Sequence, residues 1–263
     1  DSAHTLSENL PLPQKKSLRA NYRNFEQAVT AINKIVENMR GIAQKSGKKR
    51  AIKLNEYDVE RTGVIARIPP ATSADHSENV KGWEEVLGTL LGQLRDKFET
   101  NKPIEVELKV SMIYPQEQFT NVEQIVTGLK NVLDGDVEST VKNLIEKILA
   151  FINLQIERHD DKEEVLGKLS EAGMMDIASI KGLTVPTVIA LQPPIVEEGD
   201  PWFVNMQKLA LSLVMISRPQ FGLFIAASKI NYKKLTGSHE EYNSTLPDDL
   251  NFTDRLANAS VPE

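Results

Sequence analysis

Along the first third of the chain, apolar residues recur at helical spacing. Phe25, Val29, Ile32, Val36, Met39 and Ala43 step by four and three, which predicts a helix over about 22–43. Val80, Trp83, Leu87, Leu90, Leu91, Leu94 and Phe98 define a second amphipathic helix. Between them, Arg50–Leu54 and Val64–Ile68 have the apolar, β-branched character of short strands, and Pro69–Pro70 turns the chain. Ile104, Val106, Leu108, Val110 and Met112 then alternate with Glu105, Glu107, Lys109 and Ser111, the period-two pattern of a half-buried strand.

The pattern returns to period 3.6 after that strand. Thr120 and Glu123 form a capping box ahead of Val122, Ile125, Val126, Leu129 and Leu133, and Asp134–Gly135 ends the helix. Val141 through Ile156 make a long stripe that favours helix over a buried strand. Shorter helices are expected around Glu163–Ala172 and Met174–Lys181. Pro186, Pro193 and Pro194 make Thr184–Val196 extended, a strap or a seam between parts of the chain. Asp200 followed by Pro201 has the form of a capping acid and a first-turn proline. They open an apolar helix to Ile216 that is expected to be buried nearly all round, and a last apolar helix is expected from Arg218–Pro219 to about Leu235.

These elements predict an α+β fold dominated by helix, with a small sheet and extended N- and C-terminal arms. The expected organisation is an arm over 1–20, an α+β core over 21–183, a strap with apolar C-terminal helices over 184–235, and a polar tail over 236–263. The chain has 263 residues, room for one large core or two modest ones. No apolar run reaches the length a membrane helix needs. No signal peptide is visible, and a cytoplasmic or virion location is expected.

Composition removes several chemistries. With no cysteine, the chain has no disulfide framework, thiolate nucleophile or thiolate metal site. His4, His76 and His239 lack partners at the spacing of a zinc or acid–base pair, and no cofactor or metal is expected. His159-Asp160-Asp161 with Glu163 and Glu164 is an acidic turn whose adjacent positions do not converge on one point. Gly41-Ile-Ala-Gln-Lys-Ser-Gly47-Lys48 approaches a phosphate-binding loop. It follows a helix instead of a strand, however, and carries Lys49 where a hydroxyl is required, so it is expected to be a helix end with a basic loop.

Charge is unevenly distributed. Between Lys15 and Lys53 stand 11 lysines and arginines against two acids, Glu26 and Glu37. The local excess of +9 leaves −15 for the remainder of a chain whose net charge is −6. Lys15, Lys16, Arg19, Arg23, Lys45, Lys48, Lys49, Arg50 and Lys53 are therefore candidate phosphate contacts. They would neutralise a nucleic-acid backbone in a salt-sensitive, sequence-independent way.

The run Asn121-Val-Glu123-Gln124-Ile-Val-Thr127-Gly-Leu-Lys-Asn131-Val-Leu133-Asp-Gly135, which follows a strand, resembles the motif of RusA-type Holliday-junction resolvases over about 15 residues. The resemblance puts the family's metal-binding acids at Asn121, Glu123 and Asn131 and its lysine at Thr127. One carboxylate is left, so what the resemblance implies is a catalytically inactive derivative, because a divalent cation needs several carboxylate oxygens.

The function expected is that of a non-enzymatic structural or assembly subunit, such as a virion, phage or nucleoprotein component, whose arm and tail contact neighbouring copies in a homo-oligomer or larger assembly. Two alternatives stand beside it. One is a nucleic-acid-binding protein using residues 15–53, the RusA-like derivative included. The other is an enzyme whose site is assembled from scattered acids such as Glu105, Glu107, Asp160 and Asp161.

Overall fold

Five parallel strands in the order β1-β5-β4-β2-β3 form the centre of the protein. The computed structural model describes residues 24–47, 64–67, 77–99, 108–115, 121–134 and 139–237. In chain order these give α1 (Glu26–Lys45), β1 (Val64–Arg67), α2 (Ser77–Glu99), β2 (Val110–Tyr114), α3 (Val122–Leu133), α4 (Ser139–Arg158), α5 (Lys162–Glu171) and β3 (Met174–Asp176). There follow α6 (Ile177–Ile180), β4 (Val185–Leu191), α7 (Trp202–Ile216), β5 (Pro219–Ala226) and α8 (Lys229–Thr236). Helix dominates and the sheet is small, as the periodicities predict. The expected arm and tail, and the strand at Arg50–Leu54, lie outside the described residues.

Helices cover both faces of the sheet. On one face α2, α3, α4 and α5 bury Leu87, Leu90, Leu94, Ile125, Leu129, Ile145, Ile148 and Val165 against Met112, Met174 and Ile189. On the other, α1, α6, α7 and α8 bury Phe25, Ile35, Ile180, Leu209, Ile216 and Tyr232 against Ile113, Val188 and Leu223. The connections β1 to β2 to β3 advance across the sheet over the first face. Those from β3 to β4 to β5 come back over the second, as right-handed crossovers require.

This layering explains where the structure differs from the sequence pattern. Val110–Tyr114 is buried at every position, not half-buried, because β2 is an interior strand covered on both faces, and Ser111 is as buried as its neighbours. Residues 101–107 of that expected strand lie outside the described residues. The stretch foreseen as extended is the interior strand β4, which pairs with β2 and β5. Its Pro186, lacking an N–H, sits where the register against β5 shifts between Val185 and Thr187.

Three helix expectations are corrected. Met174–Asp176 is the edge strand β3, leaving only the single turn Ile177–Ile180 as helix. Pro219–Ala226 is β5 instead of helix, as its Phe-Gly-Leu-Phe-Ile run suits an interior position, and helix resumes only at Lys229. Finally, α7 buries one face, through Asn205, Leu209, Ser212, Met215 and Ile216, and is not covered all round.

Helix ends show which polar residues act locally. The cap of α3 is Asn121, whose Oδ1 accepts from the Gln124 N–H at 3.1 Å, one residue after the expected Thr120. Asp200 does not cap α7. Pro201 takes that position without a side-chain bond, and the Asp200 carboxylate receives Lys208 Nζ at 2.7 Å. Gly47, at φ +73°, follows the end of α1, so the glycine–lysine run is a helix terminus.

The direction of α1 follows from Asn24, whose Nδ2 donates to the carbonyls of Ser217 at 3.2 Å and Pro219 at 2.9 Å. Helix α1 thus starts beside the end of α7 and the beginning of β5. It runs antiparallel to α7, toward the edge where all five strands end. On the opposite face, the Gln93 carboxamide of α2 makes four backbone bonds. Nε2 donates to Val110 O (2.9 Å) and Ala172 O (3.0 Å), and Oε1 accepts from Val110 N (3.1 Å) and Lys109 N (3.2 Å). Substituting Gln93→Leu orphans backbone groups at the start of β2, and should lower unfolding free energy in urea titration by about 2–4 kcal/mol.

Candidate functional site at the carboxyl edge of the sheet

All five strands are parallel, so their carboxyl ends share one edge. At that edge β2 and β4 are neighbours with diverging exits, since β2 leads to α3 on one face and β4 to α7 on the other. Where outgoing connections part in this way, a parallel sheet leaves a crevice, the usual ligand site of open α/β sheets. The crevice here encloses about 370 Å³ and is lined by Tyr114 and Pro115 after β2, by Leu191 and Gln192 after β4, and by the outward face of α3.

Tyr114 forms its inner wall. The ring is 2% exposed and lies so close to α3 that a Cβ at residue 128 would stand 2.7 Å from its Cε1; glycine there makes the approach possible. The hydroxyl donates to Met112 Sδ at 3.5 Å, and burial pushes the phenol pKa well above its ordinary value. The ring is therefore a neutral wall.

Gln192 forms the opposite rim. Its φ of +42° makes it the one non-glycine residue of positive φ among the described residues, a conformation that persists only where the surroundings impose it. They do so here. Its N–H donates to Ala226 O at 2.8 Å, and two prolines follow directly. Ser212 Oγ donates to Pro194 O. Asn205 brackets Glu197, accepting from its N–H and donating to its carbonyl, both at 3.1 Å. Lys208 then spans Asp200 and Glu197, and the hydrogen bond it donates to Asp200 raises its pKa.

On α3, Glu123 is the only charged residue lining the crevice among the described residues. Lys162 Nζ, across on α5, donates to its Oε1 at 2.6 Å, and that bond lowers its pKa. The remaining lining groups of α3 are carboxamides and a hydroxyl: Asn121, Gln124, Thr127 and Asn131.

The same edge carries exposed apolar side chains. Trp202 (47% exposed) and Phe203 (58%) open α7 with their rings edge to face, centroids 6.1 Å apart. Ile230, in the first turn of α8, is 68% exposed. Lys45 stands in the last turn of α1, the end of that helix nearer this edge.

Of the nine candidate phosphate contacts, Lys45 is described; Lys15, Lys16, Arg19, Arg23, Lys48, Lys49, Arg50 and Lys53 lie outside the described residues. So do Glu105 and Glu107. In the acidic turn, Asp161 caps α5 by accepting from the N–H groups of Glu163 and Glu164, and His159 packs edge-on against Phe98. Among the described residues no group of three or more His, Asp or Glu is placed to hold a metal ion. No helix among them is long and apolar enough to cross a membrane.

The four positions of the resolvase-like run, Asn121, Glu123, Thr127 and Asn131, do meet around the crevice. Their one carboxylate is held by Lys162. Pattern alone missed Tyr114 and Gln192. The available signal was positional: each stands at the end of an apolar run, just before proline. The chain matches none of the protein-family models against which it was scanned, and a search of curated proteins finds no match.

Two outcomes test this geometry. Gly128→Val drives a methyl group into the Tyr114 ring; it should cost about 1–3 kcal/mol by chemical denaturation and alter the tyrosine near-UV circular dichroism. In an NMR pH titration, Glu123 should ionise below its ordinary value of 4.5 and return toward it in Lys162→Ala. Because the folded-state value is depressed, the stabilisation from this pair is present above the ordinary glutamate range and is lost as pH falls through the depressed midpoint.

Proposed function

We propose that this chain is a non-enzymatic assembly subunit that associates with further copies of itself through the carboxyl edge of its sheet. The observation that carries the reading is the Trp202–Phe203 pair. Two large aromatic side chains stand half out of the protein on the first turn of a helix whose approach loop is pinned, so little ordering remains to be done on binding. Aromatic residues so placed are the usual anchors of protein interfaces.

Charge supports a second copy as the partner. A basic segment at 15–53 and a remainder of −15 make one chain complementary to the next, and Lys45, in the last turn of α1, is the candidate cation described toward the aromatic edge. The crevice groups support a role without chemistry, because carboxamides, a hydroxyl and a lysine-paired carboxylate hold a ligand better than they move protons. Residence in the cytoplasm or in a virion belongs to the same proposal.

Light scattering on the full chain tests it. The mass should exceed the monomer at low salt and fall as salt rises. Trp202→Ala with Phe203→Ala should weaken association by roughly 2–4 kcal/mol, about one and a half to three decades in Kd. A monomer at every salt and protein concentration would overturn the reading. A mass that rises only when a short mixed-sequence nucleic acid is added would favour nucleic-acid binding by residues 15–53 in its place.

A further inference from the structure

We propose that the crevice between the carboxyl ends of β2 and β4 binds an uncharged, hydroxyl-rich small molecule of mono- or disaccharide size. The place and the volume come first. It lies where the connections of two adjacent parallel strands part, and its volume of about 370 Å³ is within the range of small-molecule sites.

The lining then selects the ligand. Each carboxamide offers an accepting oxygen beside two donating hydrogens, and each sugar hydroxyl both donates and accepts, so an Asn or Gln can take two neighbouring hydroxyls at once. Asn131 and Thr127 on α3 and Gln192, just after β4, all line the crevice, so such groups come from both elements. The fastening of the loop after β4 fixes Gln192 before a ligand arrives, so binding needs little reorganisation.

Charge and shape disfavour other classes. Among the described residues no lysine or arginine lines the crevice, Glu123 would repel an anion, and Asn121 already engages an amide at the start of α3, so phosphate-bearing ligands are poorly served there. A nucleobase needs an aromatic face on which to stack. Among the described residues Tyr114 is the only aromatic one in the lining and, at 2% exposure, shows no such face. A sugar needs only the modest apolar floor that Pro115 and Leu191 supply.

Ligand-observed saturation-transfer NMR on the full chain tests this, because it works at any oligomeric state and its outcome is independent of the assembly reading. The probes are maltose and N-acetylglucosamine, with adenosine and inorganic phosphate as controls; phosphate is followed by phosphorus line width. Transfer to at least one sugar should saturate with a Kd in about the millimolar range, as expected for a ligand with so few atoms. The double variant Thr127→Val with Asn131→Leu, shown by circular dichroism to be folded, should weaken it roughly tenfold or more. Transfer that grows linearly without saturating, transfer unchanged in the double variant, or saturable binding of adenosine or phosphate but neither sugar would each overturn the proposal.

Discussion

One carboxamide holds the two halves of the sheet's outer region in register. Gln93 reaches from α2 to the start of β2 and to the turn between α5 and β3, satisfying both backbone groups of Val110 as well as Lys109 N and Ala172 O. The carbonyl of the next residue, Gly173, accepts from Met112 N at 2.8 Å, so β3 begins alongside β2 at the point Gln93 defines. Gly173 itself has φ +102°, and a Cβ there would stand 2.5 Å from Val110 O. A buried polar group is costly unless every bond is made, and here all of them are made by one side chain. Strand β2 is thereby placed along its own axis, and with it Tyr114 and the crevice at its far end.

The elements with a clean period were legible from sequence. Leu87, Leu90, Leu91 and Leu94 are buried as their spacing implies, and α3 and α4 fall where their stripes place them. The strands were harder, for a physical reason. A strand covered on both faces has no polar side to alternate with, so β4 read as an extended strap or seam and β5 as part of a helix, with Pro186 and Pro219 looking like boundaries. Only pairing partners distant in sequence distinguish them. On α1, small residues misled in another way: Ala28 and Ala31 are buried beside Ile35, while Ile32, Val36 and Met39, which dominate the periodicity, are only partly covered.

The crevice was half legible. Its α3 side, Asn121, Glu123, Thr127 and Asn131, is collected by a short local run, and helical spacing alone brings such residues to one face. Its other side depends on Leu191 and Gln192 lying beside Tyr114, a juxtaposition made by the pairing of β2 with β4 and invisible to any local pattern. The aromatic pair illustrates a different limit. Trp202 and Phe203 belong to an apolar sequence whose default destination is the core, and only the direction of α7 shows that its first turn projects beyond it.

The position of β1 has a consequence for synthesis. Its sole described neighbour is β5, with Val64 opposite Gly222 and Arg67 opposite Ile225. As the chain leaves the ribosome, β1 emerges early and must wait for most of the protein before its partner exists. Strand β2 likewise lacks β4 for some seventy residues. Local helices can form during that interval, but the sheet cannot close until the C-terminal third is translated. Nascent chains of this topology carry apolar strands unpaired through much of elongation, the state in which unpaired strand edges are prone to aggregate.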